Sequence, residues 1–237
     1  MTSNYKEVLV KLLEKRNLKQ SQNLARFFKT KKGEYGYGDI FLGIKVPIQR
    51  SIAKEFKELS LPQVQKLLEN KYHECRLTGL LILTYKFPKA NQEEQKNIYD
   101  LYIKNLNHIN NWDLVDLSAP NILGAYLFSR SHRSLYNLVK SKNLWYRRIA
   151  ILSTFYFIKN DKFNDSLKIA QLLLNDKHDL IHKAVGWMLR EVGKRNKQVL
   201  FYFLDENFSK MPRTCLRYAI ERLPQNIRKG YLQKKTS

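Results

Sequence analysis

All-α is the fold class written into this chain, on three grounds. Apolar residues recur at helical spacing, as Leu9, Leu12 and Leu13 do near the start. No stretch keeps the strict alternation of a half-buried strand. Glycine, the commonest breaker of regular structure, occurs only nine times, and Gly33, Gly36, Gly38 and Gly43 crowd into KKGEYGYGDIFLG.

The elements follow in order. The Leu9/Leu12/Leu13 set predicts the first helix. The glycine-rich stretch reads as one loop. Pro47 and Pro62 fit the start of a helix, where a missing N–H costs nothing. Asn91 with Glu94 has the spacing of a capping box and predicts a long helix running to Ile109. Pro88, Pro120, Pro212 and Pro224 fall at expected helix boundaries.

A repeat shows through. RLTGLLILTY from Arg76, WDLVDLSAP from Trp112, RIAILSTFY from Arg148, KAVGWMLRE from Lys183 and RYAIERL from Arg217 recur at about 35 residues, the length of a two-helix unit. Helix pairs of this kind stack into an α-solenoid whose second helices line a concave face. The expectation is one domain over residues 1–237, with a basic concave groove.

Lys and Arg total 43 against 21 Asp and Glu, a formal net charge of +22. Such an excess opposes compaction and points to a polyanionic partner. Genome bias accounts for some lysines but not for the shortage of acids. The basic residues are scattered rather than striped, and no apolar run is long enough to span a bilayer, so no membrane partner is expected. MTSNYKEVLVKLLEK does not read as a signal peptide. Cys75 and Cys215 stand far apart with no CxxC, and a reducing cytoplasm fits. His73, His108, His132, His178 and His182 show no metal spacing and read as structural or surface groups. No metal and no cofactor is expected.

Three segments hold all three tryptophans: NNWDLVDLS, NLWYRRIAIL and KAVGWMLREVGK. Trp112 and Asp116, four apart, share a helix face, with Asp113 about 100° round. Trp145 and Arg148 are three apart, as are Trp187 and Arg190. Taken singly, each Trp is more often core than active site. Asp116 could be a surface aspartate or half of an Asp–Arg pair, Arg147 and Arg148 could be solvated or phosphate-facing, and Glu191 is a rival carboxylate that could as easily be a salt-bridge partner.

With WDLVD and AVGWMLRE in this order, the chain resembles the AlkD family of DNA alkylation repair glycosylases, from FLGIKVP through LREVGK. The resemblance implies a domain of HEAT-like repeats and a monofunctional glycosylase that removes cationic N3- and N7-alkylpurines from duplex DNA without flipping the base, leaving an abasic site. It implies Asp116, Trp112 and Trp187 as catalytic residues and Arg148 and Lys45 as DNA contacts; Arg147 and Arg190, basic neighbours in the same segments, are added as candidate DNA contacts. A cytoplasmic, nucleoid-associated monomer with no obligate protein partner is expected. The alternative is a non-catalytic basic HEAT-repeat protein that binds nucleic acid.

Overall fold

The computed structural model describes residues 4–233. Residues 1–3 and 234–237, the ends of the expected single domain and the first residues of the MTSNYK stretch, lie outside the described residues. Helices account for the fold; among the described residues the only bridge of strand type joins Ile40 and Tyr72. The chain divides into two compact units, one up to Tyr126 and one from Leu127.

The first unit contains α1 (Tyr5–Glu14), α2 (Leu18–Phe27), α3 (Val46–Glu55), α4 (Leu61–Leu68), α5 (His73–Lys86), α6 (Gln92–Lys104) and α7 (Trp112–Ser118). On α1 the buried seam is Val8 and Leu12, while Leu13 is exposed, so the apolar face sits one residue back from the Leu9/Leu13 line. Pro47 and Pro62 each occupy the second position of their helix, still among the donors a helix leaves unused. The capping box of Asn91 and Glu94 forms as expected. The helix it starts stops at Lys104, short of Ile109. The buried Asn105 side chain donates to the Leu101 carbonyl at 2.8 Å, and the chain tightens into a 3-10 turn over Leu106–His108.

Every residue of α5 from His73 to Leu83 is buried, the mark of a helix enclosed on all sides. It packs against α3, α4 and α7. Pro120 falls at the expected boundary, just past the end of α7 at Ser118. It has no N–H for the helical ladder, and the chain widens into a π turn over Pro120–Gly124, with the Gly124 N–H on the Ala119 carbonyl at 2.8 Å.

The second unit contains α9 (Arg133–Val139), α10 (Leu144–Lys159), α11 (Asn164–Leu172), α12 (Asp179–Arg195), α13 (Lys197–Asn207), α14 (Arg213–Ala219) and α15 (Gln225–Gln233); the single turn α8 (Ala125–Leu127) straddles the division. The five repeat segments begin on α5, α7, α10, α12 and α14, every second helix of the chain once the single turn α8 is passed over. Their partners α4, α9 and α11 pack on α5, α10 and α12. The second helices also pack on one another, α5 on α7 in the first unit and α10 on α12 on α14 in the second. The α12–α14 approach is close because residue 186 is glycine: a Cβ there would stand 2.4 Å from the Cys215 carbonyl oxygen. Cys75 on α5 and Cys215 on α14 are free thiols, both fully enclosed, and burial pushes each up to about 12. No described helix is long and apolar enough to cross a membrane.

Candidate active site

In the first unit the site grows from a loop fastened to the start of α5. Glu74 is fully buried and its carboxylate accepts the backbone N–H groups of Leu42, Gly43 and Ile44 at 2.8, 2.8 and 3.2 Å. Gly43 turns the loop at φ +87, and a Cβ there would strike the Asn17 carbonyl at 2.1 Å, so only glycine fits. The glycine-rich stretch is thus a tied segment that delivers Asp39 and Phe41 inward.

Asp39 accepts from Arg76 and Asn111 and lies 2.8 Å from His73 Nδ1. His73 Nε2 lies 2.8 Å from Asp113 Oδ2 in the first turn of α7. Asn111, the N-cap of α7, accepts the Trp112 N–H at 2.9 Å. Burial opposes the charged imidazole, but the charge and hydrogen bond of Asp113, with those of Asp39, push His73 up to about 9. Burial likewise opposes the Asp39 carboxylate, and His73 and Arg76 outweigh it, holding Asp39 below its usual range.

Aromatic rings complete this corner. Phe28 stacks between Phe41 (5.0 Å) and Trp112 (5.1 Å, planes 18° apart). The exposed Phe27 meets Trp112 edge-on at 5.9 Å. Trp112 and Asp116 are both half-buried, one turn apart on α7 as their spacing predicts. Lys45 is exposed at the N-cap of α3, on the wall of a cleft of about 370 Å³ that Phe28, Phe41, His73 and Asp113 also line.

In the second unit Trp145 is buried in the core, as a tryptophan taken singly would be. Arg148, on the same helix, is 5% exposed and donates to the Leu180 carbonyl at the start of α12. Arg147 is held inside its unit: Nε donates to Asp176 at 2.6 Å and Nη1 to the carbonyls of Ser141 and Lys142 at 3.0 and 2.9 Å. Arg190 pairs with Glu221 and lies 3.5 Å from Glu191. Trp187 is half-buried, 5.8 Å from Phe155, and its indole N–H donates to Glu191 at 3.1 Å. Glu191 also accepts from Lys194 at 2.7 and 2.9 Å, so the rival carboxylate is the hub of a local network.

The first unit therefore sets Trp112 against Phe27 and Phe28, and places Phe28 with Phe41, His73 and Lys45 around one cleft, with Asp39 bonded to His73 behind it; Asp116 lies one turn along α7 from Trp112. The sequence did not flag Phe27, Phe28, Phe41, Asp39 or His73 as site residues. Reading His73 as structural was right about its burial and missed its two carboxylates. Asp39 is distant in sequence, and only Asp113, next to Trp112, hinted at the link. His178 caps α12 by accepting the Leu180 N–H at 3.1 Å, a structural role as expected. No cluster of three or more metal-ligating side chains occurs among the described residues.

The profile of the family described as "DNA alkylation repair enzyme" matches residues 8–223. Among solved structures, a "Predicted DNA alkylation repair enzyme from Enterococcus faecalis" is similar with a TM-score of 0.69 at 17% identity, over 89% of this chain and 98% of that one. AlkD2 from Streptococcus mutans is similar with a TM-score of 0.54 at 16% identity, over 86% of this chain and 98% of that one. At such identities the likeness establishes the helical-repeat fold. No curated protein sequence is significantly similar to the chain.

Proposed function

Because the chain belongs to the DNA alkylation repair enzyme family, we propose that it is a monofunctional DNA glycosylase acting on cationic N3- and N7-alkylpurines in duplex DNA. What carries the proposal is the pairing of Trp112 with Asp116, an aromatic plane and a carboxylate one turn apart on α7, both half-buried.

Alkylation at N7 of guanine or N3 of adenine makes the base cationic, so it leaves without prior protonation. The glycosidic bond opens towards an oxocarbenium-like sugar. Asp116 is assigned to that charge: its carboxylate stabilises C1′ and takes the proton of the water that attacks there. The base departs neutral and an abasic site remains. Trp112 and Trp187 are assigned to the cationic nucleotide through their ring faces, each contact worth about 0.5–2 kcal/mol. Trp187 spends its single donor on Glu191, so it presents a ring face with nothing left to read a base edge. Selection then rests on charge, which favours a reaction that leaves the base in the stack.

Lys45 is the exposed member of the four basic candidates and is assigned a direct backbone-phosphate contact. Arg148 is assigned as fixed positive charge beside the lesion. Arg147 and Arg190 would have to leave Asp176 and Glu221 to reach a phosphate.

The test is base release from duplexes carrying N7-methylguanine, uracil or hypoxanthine, by wild type and Asp116→Asn. Release of N7-methylguanine alone is expected, with a fall of roughly 100-fold or more in the variant at unchanged duplex affinity. Efficient uracil or hypoxanthine release would reveal a general acid and a base pocket, against the charge argument. Duplex binding with no release of any base would leave the chain a non-catalytic nucleic-acid-binding repeat protein.

A further inference from the structure

Asp39 and His73, both buried, and the part-buried Asp113 form a chain of ionisable groups, with side chains 0%, 2% and 17% exposed. Nothing in the chemistry assigned to Trp112 and Asp116 calls for them. Buried ion pairs seldom stabilise more than apolar groups of the same volume, and their best-attested use is to specify one arrangement among several. The arrangement specified here is visible in the contacts.

We propose that His73 is the positioning residue for Trp112: by bridging Asp39 and Asp113 it fixes the first turn of α7 and so the plane of that indole. The inference rests on the glycosylase reading for its effect on catalysis, but its structural content stands apart. Three elements converge on one ring. The loop brings Asp39 and Phe41, whose ring stacks on the imidazole at 4.5 Å. The end of α2 brings Phe28, 5.3 Å from the imidazole and stacked on Trp112. Helix α7 brings Asp113 by a hydrogen bond and Trp112 through that stack. Asp39 also takes the amide of Asn111, whose oxygen caps α7 at Trp112 itself. Trp112 is thus held from its backbone and from its ring face, and both routes pass through His73 or its partner.

The charged groups around the ring are Asp39 on the loop, Arg76 and Glu74 on α5, and Asp113 on α7, with Lys45 on the wall of the cleft. Glu74 is turned to the loop amides. His73 is pushed up to about 9 by its carboxylates, so the bridge is intact at neutral pH and opens as pH rises through that value. Its support for Trp112 is fully present below the ordinary histidine value of 6.5 and lost on the alkaline side.

The experiment uses the full chain labelled with fluorotryptophan, whose three fluorine resonances are assigned by single Trp→Phe changes. The Trp112 resonance is expected to titrate with a midpoint of about 9, while those of Trp145 and Trp187 do not follow it. In Asp113→Asn, which keeps the shape of the half-enclosed partner, the midpoint should fall by about one unit or more. In the same variant the excision rate should drop roughly 10- to 100-fold with duplex affinity unchanged, and its alkaline limb should move with the resonance. A Trp112 resonance that does not titrate in wild type, or an unmoved midpoint in Asp113→Asn, overturns the proposal. Should the wild type release no alkylpurine, the glycosylase reading fails while the resonance still decides the positioning role.

Discussion

Asp116 and Glu191, the two carboxylates one turn from a tryptophan, are assigned different work. Asp116 is assigned to the sugar, whereas Glu191 acts on the indole beside it. An N–H donated to a carboxylate polarises the ring and makes its face more electron-rich. Glu191→Gln keeps the contact but removes the charge. Excision should fall by about fivefold, the size of one weakened cation–π contact, with duplex affinity little changed. A fall as large as that of Asp116→Asn would transfer the catalytic role to Glu191. From the sequence alone the two carboxylates were rivals, each four residues from a tryptophan. In the structure Glu191 has Lys194 and Arg190 beside it, and Asp116 lies one turn along α7 from the Asp113 of the His73 bridge.

At the scale of an element, the contact between α12 and α14 offers the sharpest test of packing. Gly186→Ala would drive a methyl group to 2.4 Å from the Cys215 carbonyl oxygen and 2.5 Å from Tyr218 Cβ. Backbone cannot yield as a side-chain tip can, so the helices must part. Denaturant unfolding should show a loss of about 1–3 kcal/mol, and Trp187, the next residue, should lose activity with it. An unchanged midpoint would mean that α12 and α14 can part at this point without cost.

The same scale shows what the sequence could and could not disclose. Helix starts were legible because their signals are local: Asn91 with Glu94, and prolines in the first turn of α3 and α4. The repeat was legible because each second helix carries its own apolar run. Helix ends were harder, since a buried asparagine stopped α6 at Lys104 and a proline widened a helix at Pro120. The face of Trp112 and Asp116 followed from spacing. The His73 bridge did not, because Asp39 and Asp113 reach it from 34 and 40 residues away, and no local pattern encodes such a meeting.

Over the whole molecule, a charge of +22 makes salt the natural probe. Duplex affinity should fall steeply, with a log–log slope near −0.9 for each phosphate neutralised, and Lys45→Ala should flatten it by about 0.9. A flat response in the wild type would point to a partner other than a polyanion, and an unchanged slope in the variant would remove Lys45 from the interface. Cys75 and Cys215 lead somewhere else. Soft electrophiles react with thiolate rather than thiol. With both groups pushed up to about 12, the thiolate fraction at neutral pH is on the order of one in a hundred thousand. The core also shuts out reagents physically. A member of a DNA alkylation repair family meets its substrate at the moment when alkylating agents are abundant, and this one carries its two most nucleophilic side chains where those agents find neither access nor charge.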